Sequence, residues 1–298
     1  MRTSSGRPAW ERHSSATRGQ TVPGRRFTLL YYANLGFQAL EPNPDWPADS
    51  FYLAVGNCCG YPSSGPMEGR VECIKKVGGN WQTTPAYTSL GAGSNFAVND
   101  VTAMRDPSLT SNDPPLLYWA TQKMDRINWC GLPRGMVTKR KWVAGTYTYT
   151  NLYTYNYADG TQCKIGDIIF YDPPACVGLT RFLFRNSYPV VIAALYGKVV
   201  GDEPIYQAHL FAYQDTPGPA WKRLNTPAVL STSTIEIFLC FGGQIEVDAA
   251  NGYDIYVTGQ GGCYWLDNRF QDSPLGSGCN LPTVDRPICL RRLGRPVE

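Results

Sequence analysis

The sequence predicts an all-β, antiparallel protein built from four-stranded meander sheets. Three observations carry this. Residues Thr234 to Asp267 read as apolar runs parted by Gly242-Gly243 and Asn251-Gly252, the dipeptides that two-residue hairpin loops demand. An apolar strand, an acidic or Pro-rich turn and an aromatic-rich strand recur, anchored by Tyr52, Tyr118, Phe184 and Tyr256 at spacings of 66, 66 and 72 residues. Charged residues are only 17% of the chain, so long helix formers are scarce, and Gly (30) and Pro (23) punctuate it throughout. Phe96 to Arg105 is the one amphipathic-helix candidate.

In order along the chain, residues 1–26 form a basic arm, expected to be disordered. Phe27 to Ala33 reads as a strand. The loop Glu41 to Ser50 (EPNPDWPADS) leads into Phe51 to Val55. Val71 to Val77 is a strand ending at Gly78-Gly79. Leu116 to Ala120, Ile168 to Pro174 (IIFYDPP) and Arg181 to Phe184 follow. Thr146 to Tyr157 (TYTYTNLYTYNY) reads as one long bent strand; Asn151-Leu152 would make a poor type I′ turn. In the last stretch, a two-residue loop at Asn251-Gly252 places Val247 opposite Tyr256 and Asp248 opposite Ile255. Both faces of that sheet are then largely apolar, with Glu246 and Asp248 set among the apolar residues. A sheet apolar on both sides needs a neighbour on each. A β-propeller-like ring is therefore favoured over a layered sandwich or jelly roll. The organisation expected is an arm at 1–26, one all-β domain at 27–285 and a basic tail at 286–298.

Tyr213 to Trp221 (YQDTPGPAW) and Lys76 to Trp81 (KVGGNW) resemble the Asp-box turn of sialidase-like propellers. The first has one residue more between Asp215 and Trp221, and the second has Lys76 in the place of the Asp. The resemblance implies a propeller-type turn, and no functional residue follows from it.

Charge is uneven. The arm carries Arg2, Arg7, Arg12, Arg18, Arg25 and Arg26 against Glu11, and the tail four Arg against Glu298. Of a net charge of +3 the two ends hold +8, leaving the body at about −5. Such a body does not resemble a nucleic-acid surface, and phosphate contact would fall to the arm's arginines. Ten cysteines, without a legible signal peptide or any Asn-x-Ser/Thr acceptor, point to mostly reduced thiols. Cys279 and Cys289 are the pair best placed to bridge. No stretch is long and apolar enough to span a membrane as a helix. A cytoplasmic or virion setting is expected over classical secretion.

The sequence offers little for catalysis. His13 lies in the arm, and His209 stands alone on a strand. Cys-x-x-Cys pairs, phosphate-binding loops and nucleophile elbows are absent, so neither metal nor cofactor is expected. Glu246 and Asp248, two apart on one strand, are the only candidate carboxylate pair for glycoside hydrolysis. A binding role asks less. Tyr147, Tyr149, Tyr153, Tyr155 and Tyr157, with Trp142 and also Trp119, Trp129, Trp221 and Trp265, could present aromatic faces to sugar rings. The expected function is non-enzymatic recognition or structure, with a glycan or protein partner. A virion coat or attachment protein, assembled from copies of this chain, and a glycoside hydrolase are the alternatives.

Overall fold

A computed structural model describes residues 36–42, 50–56, 69–88, 96–110, 113–124, 131–153, 162–184, 188–201, 205–215, 219–224, 245–248, 254–259, 262–266 and 286–288. Among them there is no helix; the chain forms four antiparallel sheets. The first is a meander of β1 (Gly36–Pro42), β2 (Ser50–Gly56), β3 (Arg70–Val77) and β4 (Asn80–Thr88). The second repeats it with β5 (Phe96–Met104), β6 (Leu116–Met124), β7 (Gly131–Val143) and β8 (Thr146–Asn151). The third holds a short hairpin, β9 (Cys163–Ile165) and β10 (Ile168–Phe170), then β11 (Ala175–Phe184), β12 (Tyr188–Val199), β13 (Ile205–Gln214) and β14 (Ala220–Arg223). The fourth is a meander of β15 (Ile245–Asp248), β16 (Asp254–Gly259), β17 (Gly262–Leu266) and β18 (Arg286–Ile288). The basic tail read from residue 286 thus begins as the fourth strand of a sheet.

Tight turns set the hairpins. Gly78 and Gly79 lie at φ 58° and 83° between the paired Val77 and Asn80. Ala144 and Gly145, at 48° and 86°, do the same between Val143 and Thr146. Both loops meet the two positive φ values of a type I′ turn, whose twist matches that of the flanking strands. The KVGGNW and YQDTPGPAW stretches each join the third and fourth strands of a meander, with Lys76 paired to Trp81 and Tyr213 to Trp221.

Neighbouring sheets pack face to face in chain order. Tyr52, Ala54, Val71 and Cys73 of the first sheet meet Val98, Val101, Ala103, Leu117 and Trp119 of the second. Leu116, Tyr118 and Met136, pointing the other way, meet Phe170, Leu179, Val191, Leu195 and Phe211 of the third. The alternate residues of the third sheet, with Val177, Phe182, Phe184, Ile192 and Leu210 among them, meet Ile245 and Ile255 of the fourth. The second and third sheets are therefore apolar on both faces, as period-two strands between two neighbours must be. On the far face of the first sheet Phe51, Ile74 and Trp81 form a small cluster of their own, with the Phe51 and Trp81 rings 5.7 Å apart. Cys73, Cys163 and Cys176 are buried and outside any disulfide.

Four expectations are corrected. Phe96 to Arg105 is not helical; it is the strand β5. The Thr146–Tyr157 stretch is not one strand: β8 ends at Asn151, where the Leu152 N–H turns back to donate to the Val137 carbonyl. In the fourth sheet Glu246 pairs with Tyr256 and Val247 with Ile255, one residue away from the expected register. With Asp248 opposite Asp254, the register does not fit a two-residue loop at Asn251-Gly252. The shift gathers Ile245, Val247 and Ile255 in one core cluster and sets Glu246 on the opposite face. In the third sheet the repeat anchor at Phe184 lies on the first strand, whereas Tyr52, Tyr118 and Tyr256 lie on second strands. The inserted β9–β10 hairpin displaces it. The expected strands at 27–33 and 234–241 lie outside the described residues.

Candidate functional site

Where the first strands of the four sheets approach one another, they border a single polar pocket of about 160 Å³. By that measure it has room for on the order of ten waters. Its wall takes Ala39, Leu40 and Glu41 from β1, Asn99 to Thr102 from β5, Val177, Leu179, Thr180 and Arg181 from β11, and Ile245 and Glu246 from β15.

Three of these strands carry a β-bulge beside the pocket. Pairing skips a residue between Phe37 and Ala39 in β1, between Val98 and Asp100 in β5, and between Cys176 and Gly178 in β11. A bulge adds an unpaired residue and re-aims the side chains that follow. In β5 it lets Val98 and Val101, three apart, share the core cluster against the first sheet, and it frees Asn99 to donate from Nδ2 to the Cys176 carbonyl at 2.9 Å.

Most of the polar groups here stitch sheets together. Asp100 accepts from the Val101 N–H at Oδ1 (2.8 Å) and from the Leu179 N–H at Oδ2 (2.7 Å), tying the second sheet to the third. Glu41 Oε1 accepts from the Ala103 N–H at 3.2 Å and pairs with Arg181 Nη2 at 2.5 Å. Arg181 Nε also donates to the Ala103 carbonyl at 2.6 Å. Burial pushes the Asp100 carboxyl up to about 7, against the lowering effect of its two backbone donors; the charges of Glu41 and Glu246 push it further the same way. Burial also raises Glu41, opposed by Arg181 and the Ala103 N–H and assisted by Glu246.

Two groups are left uncommitted. Glu246 is exposed to the pocket and has no hydrogen-bond or ion-pair partner among the described residues. Thr180 is only 4% exposed, lines the pocket, and its hydroxyl finds no partner among the described residues. Among those residues no group of three or more His, Cys, Asp or Glu side chains could hold a metal ion.

Of the sequence candidates, Glu246 lies in this pocket and Asp248 does not. The aromatic ladder does not form one surface. Tyr149 is half exposed, its ring 6.1 Å from the fully buried Trp119. Tyr147 packs edge-on against Trp142 at 4.8 Å and covers the buried Arg140 guanidinium at 4.3 Å. Arg140 in turn donates to the Tyr52 hydroxyl. Tyr153 is in the core, its hydroxyl donating to the Pro174 carbonyl at 2.8 Å. Trp221 packs on Tyr213 and donates from Nε1 to the Leu152 carbonyl. Tyr155, Tyr157 and Trp129 lie outside the described residues, as does the arginine arm. His209 is buried against Phe211, away from the pocket, and burial with Arg223 nearby lowers its pKa to about 4.

Sequence reasoning missed Glu41, Asn99, Asp100, Thr180 and Arg181. The available signal was the polar pair Asn99-Asp100 inside an otherwise apolar run, FAVNDVTAM. No known protein family, curated protein or solved structure matches the chain.

Proposed function

We propose that this is a non-enzymatic recognition protein on a propeller-like ring of four sheets, which holds a polar saccharide unit in the pocket between their first strands. One observation carries the reading: a strand from each of the four sheets borders one polar pocket, in which Glu246 and the Thr180 hydroxyl remain uncommitted. Saccharide hydroxyls are met by such groups, a carboxylate accepting and a hydroxyl doing either. The face-to-face packing of consecutive sheets supports the ring, since first strands meet at a common axis only when sheets are arrayed around it. The bonding of the other carboxylates supports binding over hydrolysis. A glycosidase needs two carboxyls free to act on the same bond; both Asp100 oxygens accept backbone N–H groups, and Glu41 is engaged by Arg181.

A glycan array with the full chain tests this. Binding is expected to fall at least tenfold in Thr180→Val and to persist in Tyr149→Ala, whose half-exposed ring lies on the last strand of the second sheet, outside the pocket. Binding that survives Thr180→Val but is lost in Tyr149→Ala would move the site to that strand. Turnover of a bound glycan would replace recognition with hydrolysis, Asp100 serving as the acid and Glu246 as the second carboxylate.

A further inference from the structure

Resting on that pocket reading, we propose that its ligand is an amino saccharide, recognised through a protonated primary amine held by Glu246 with a neighbouring ring hydroxyl on Thr180. Arg181, the guanidinium in the wall, is spent on Glu41 and the Ala103 carbonyl, which leaves the charge of Glu246 unmatched. The two backbone N–H groups on Asp100 occupy its oxygens. Glu246 alone presents an open carboxylate, and Glu41 and Asp100 lie close enough to act on one another and to feel its charge. An occupant bearing one positive charge relieves that repulsion; a neutral ring does not.

A bare metal ion does not fit the arrangement, because the carboxylates are not grouped as ligands among the described residues. The volume suits an occupant of ring size. Thr180 supplies the independent sign of a ligand. The residue is only 4% exposed, it lines the pocket, and its hydroxyl has no partner among the described residues, so the pocket is where it can meet one. Thr180 belongs to the side of β11 that carries Phe182 and Phe184 and packs on the fourth sheet. It shares the pocket wall with Glu246, which the register of β15 sets on the other face of that strand from Ile245 and Val247. An ammonium offers three donors and no acceptor, matching an open carboxylate, and a ring hydroxyl can serve the threonine.

Matched sugars separate this from the parent reading. Glucose against glucosamine, galactose against galactosamine and mannose against mannosamine are titrated into the full chain at pH 6, followed by ligand-observed NMR. At least one amine is expected to bind tenfold or more tightly than its neutral partner, and that preference to weaken steeply with added NaCl. Glu246→Gln is expected to abolish the preference, the amine losing at least tenfold more affinity than its neutral partner. Thr180→Val is expected to weaken both members of the pair alike. Equal binding within every pair overturns the amine proposal but leaves saccharide recognition standing, as does a preference that survives Glu246→Gln or is indifferent to salt. Binding of larger neutral glycans on the array with no response to any amine overturns it too. No binding of any saccharide in either experiment removes both.

Discussion

Replacing Asp100 with Asn tests whether a proton is held in the pocket between the sheets. The carboxyl is raised from 3.8 to about 7 in the folded protein. Its folded value lies above its unfolded one, so its contribution to stability is fully present below pH 4. That contribution declines as pH rises and is lost above about 7. Within that window the folded state keeps a proton that the unfolded chain has released, and stability falls by about 1.4 kcal/mol per pH unit. From pH 5 to 7 the loss is roughly 2–3 kcal/mol. Asparagine carries no titrating proton, but its amide nitrogen cannot accept the Leu179 or Val101 N–H, which costs about 1–3 kcal/mol at any pH. Urea denaturation from pH 4.5 to 8.5 should therefore find the Asp100→Asn variant less stable than the wild type at the acid end. It should recover about 2–3 kcal/mol relative to the wild type by pH 7.5. Glu41 titrates in both proteins, so the difference between the two curves reports Asp100 together with its coupling to Glu41 and Glu246. Parallel curves would show that Asp100 ionises normally and that the stitch between the second and third sheets is indifferent to pH.

Two further outcomes concern the scaffold. Lys139 Nζ lies 2.6 Å from Asp215 Oδ1 at the interface of the second and third sheets, and the Tyr118 hydroxyl donates to the other oxygen at 3.3 Å. Lys139→Met should cost about 3–5 kcal/mol by stranding a buried carboxylate, and adding Asp215→Asn should restore part of it; costs that simply add in urea denaturation would mean the pair is not coupled. Gly135→Ala should destabilise by at least about 1–3 kcal/mol, because a Cβ there would meet the Thr121 carbonyl oxygen at 1.9 Å; an unchanged thermal midpoint would refute that close approach.

The strands that alternate cleanly were legible in the sequence. Phe51 to Val55, Val71 to Val77 and Leu116 to Ala120 read correctly because period-two patterning survives in them. The repeat was legible through Tyr52, Tyr118 and Tyr256, each on the second strand of its sheet. Beside the pocket legibility failed for one physical reason. A bulge breaks the alternation, so Val98 and Val101 stand three apart while facing the same core, and three-residue spacing imitates a helix. Glu41 was hidden by its Pro/Asp-rich surroundings, which speak for a turn. Glu246 stood out as a carboxylate among apolar neighbours, but the residues that share its pocket come from strands distant in the chain, and proximity across sheets leaves no mark on local sequence.

The bulges also give the first strands a place to lose a residue without turning over. In β5 Val98 pairs with Thr121 and Asp100 with Ala120, so Asn99 is the one unpaired residue between them. Deleting it would leave both pairs in register and Val98 in the core against the first sheet, at the cost of the Asn99 bond to Cys176. Deleting a paired residue instead, with the bulge kept, would exchange the two sides of part of the strand. Gains and losses of one residue should therefore fall at the bulges of β1, β5 and β11 and not beside them.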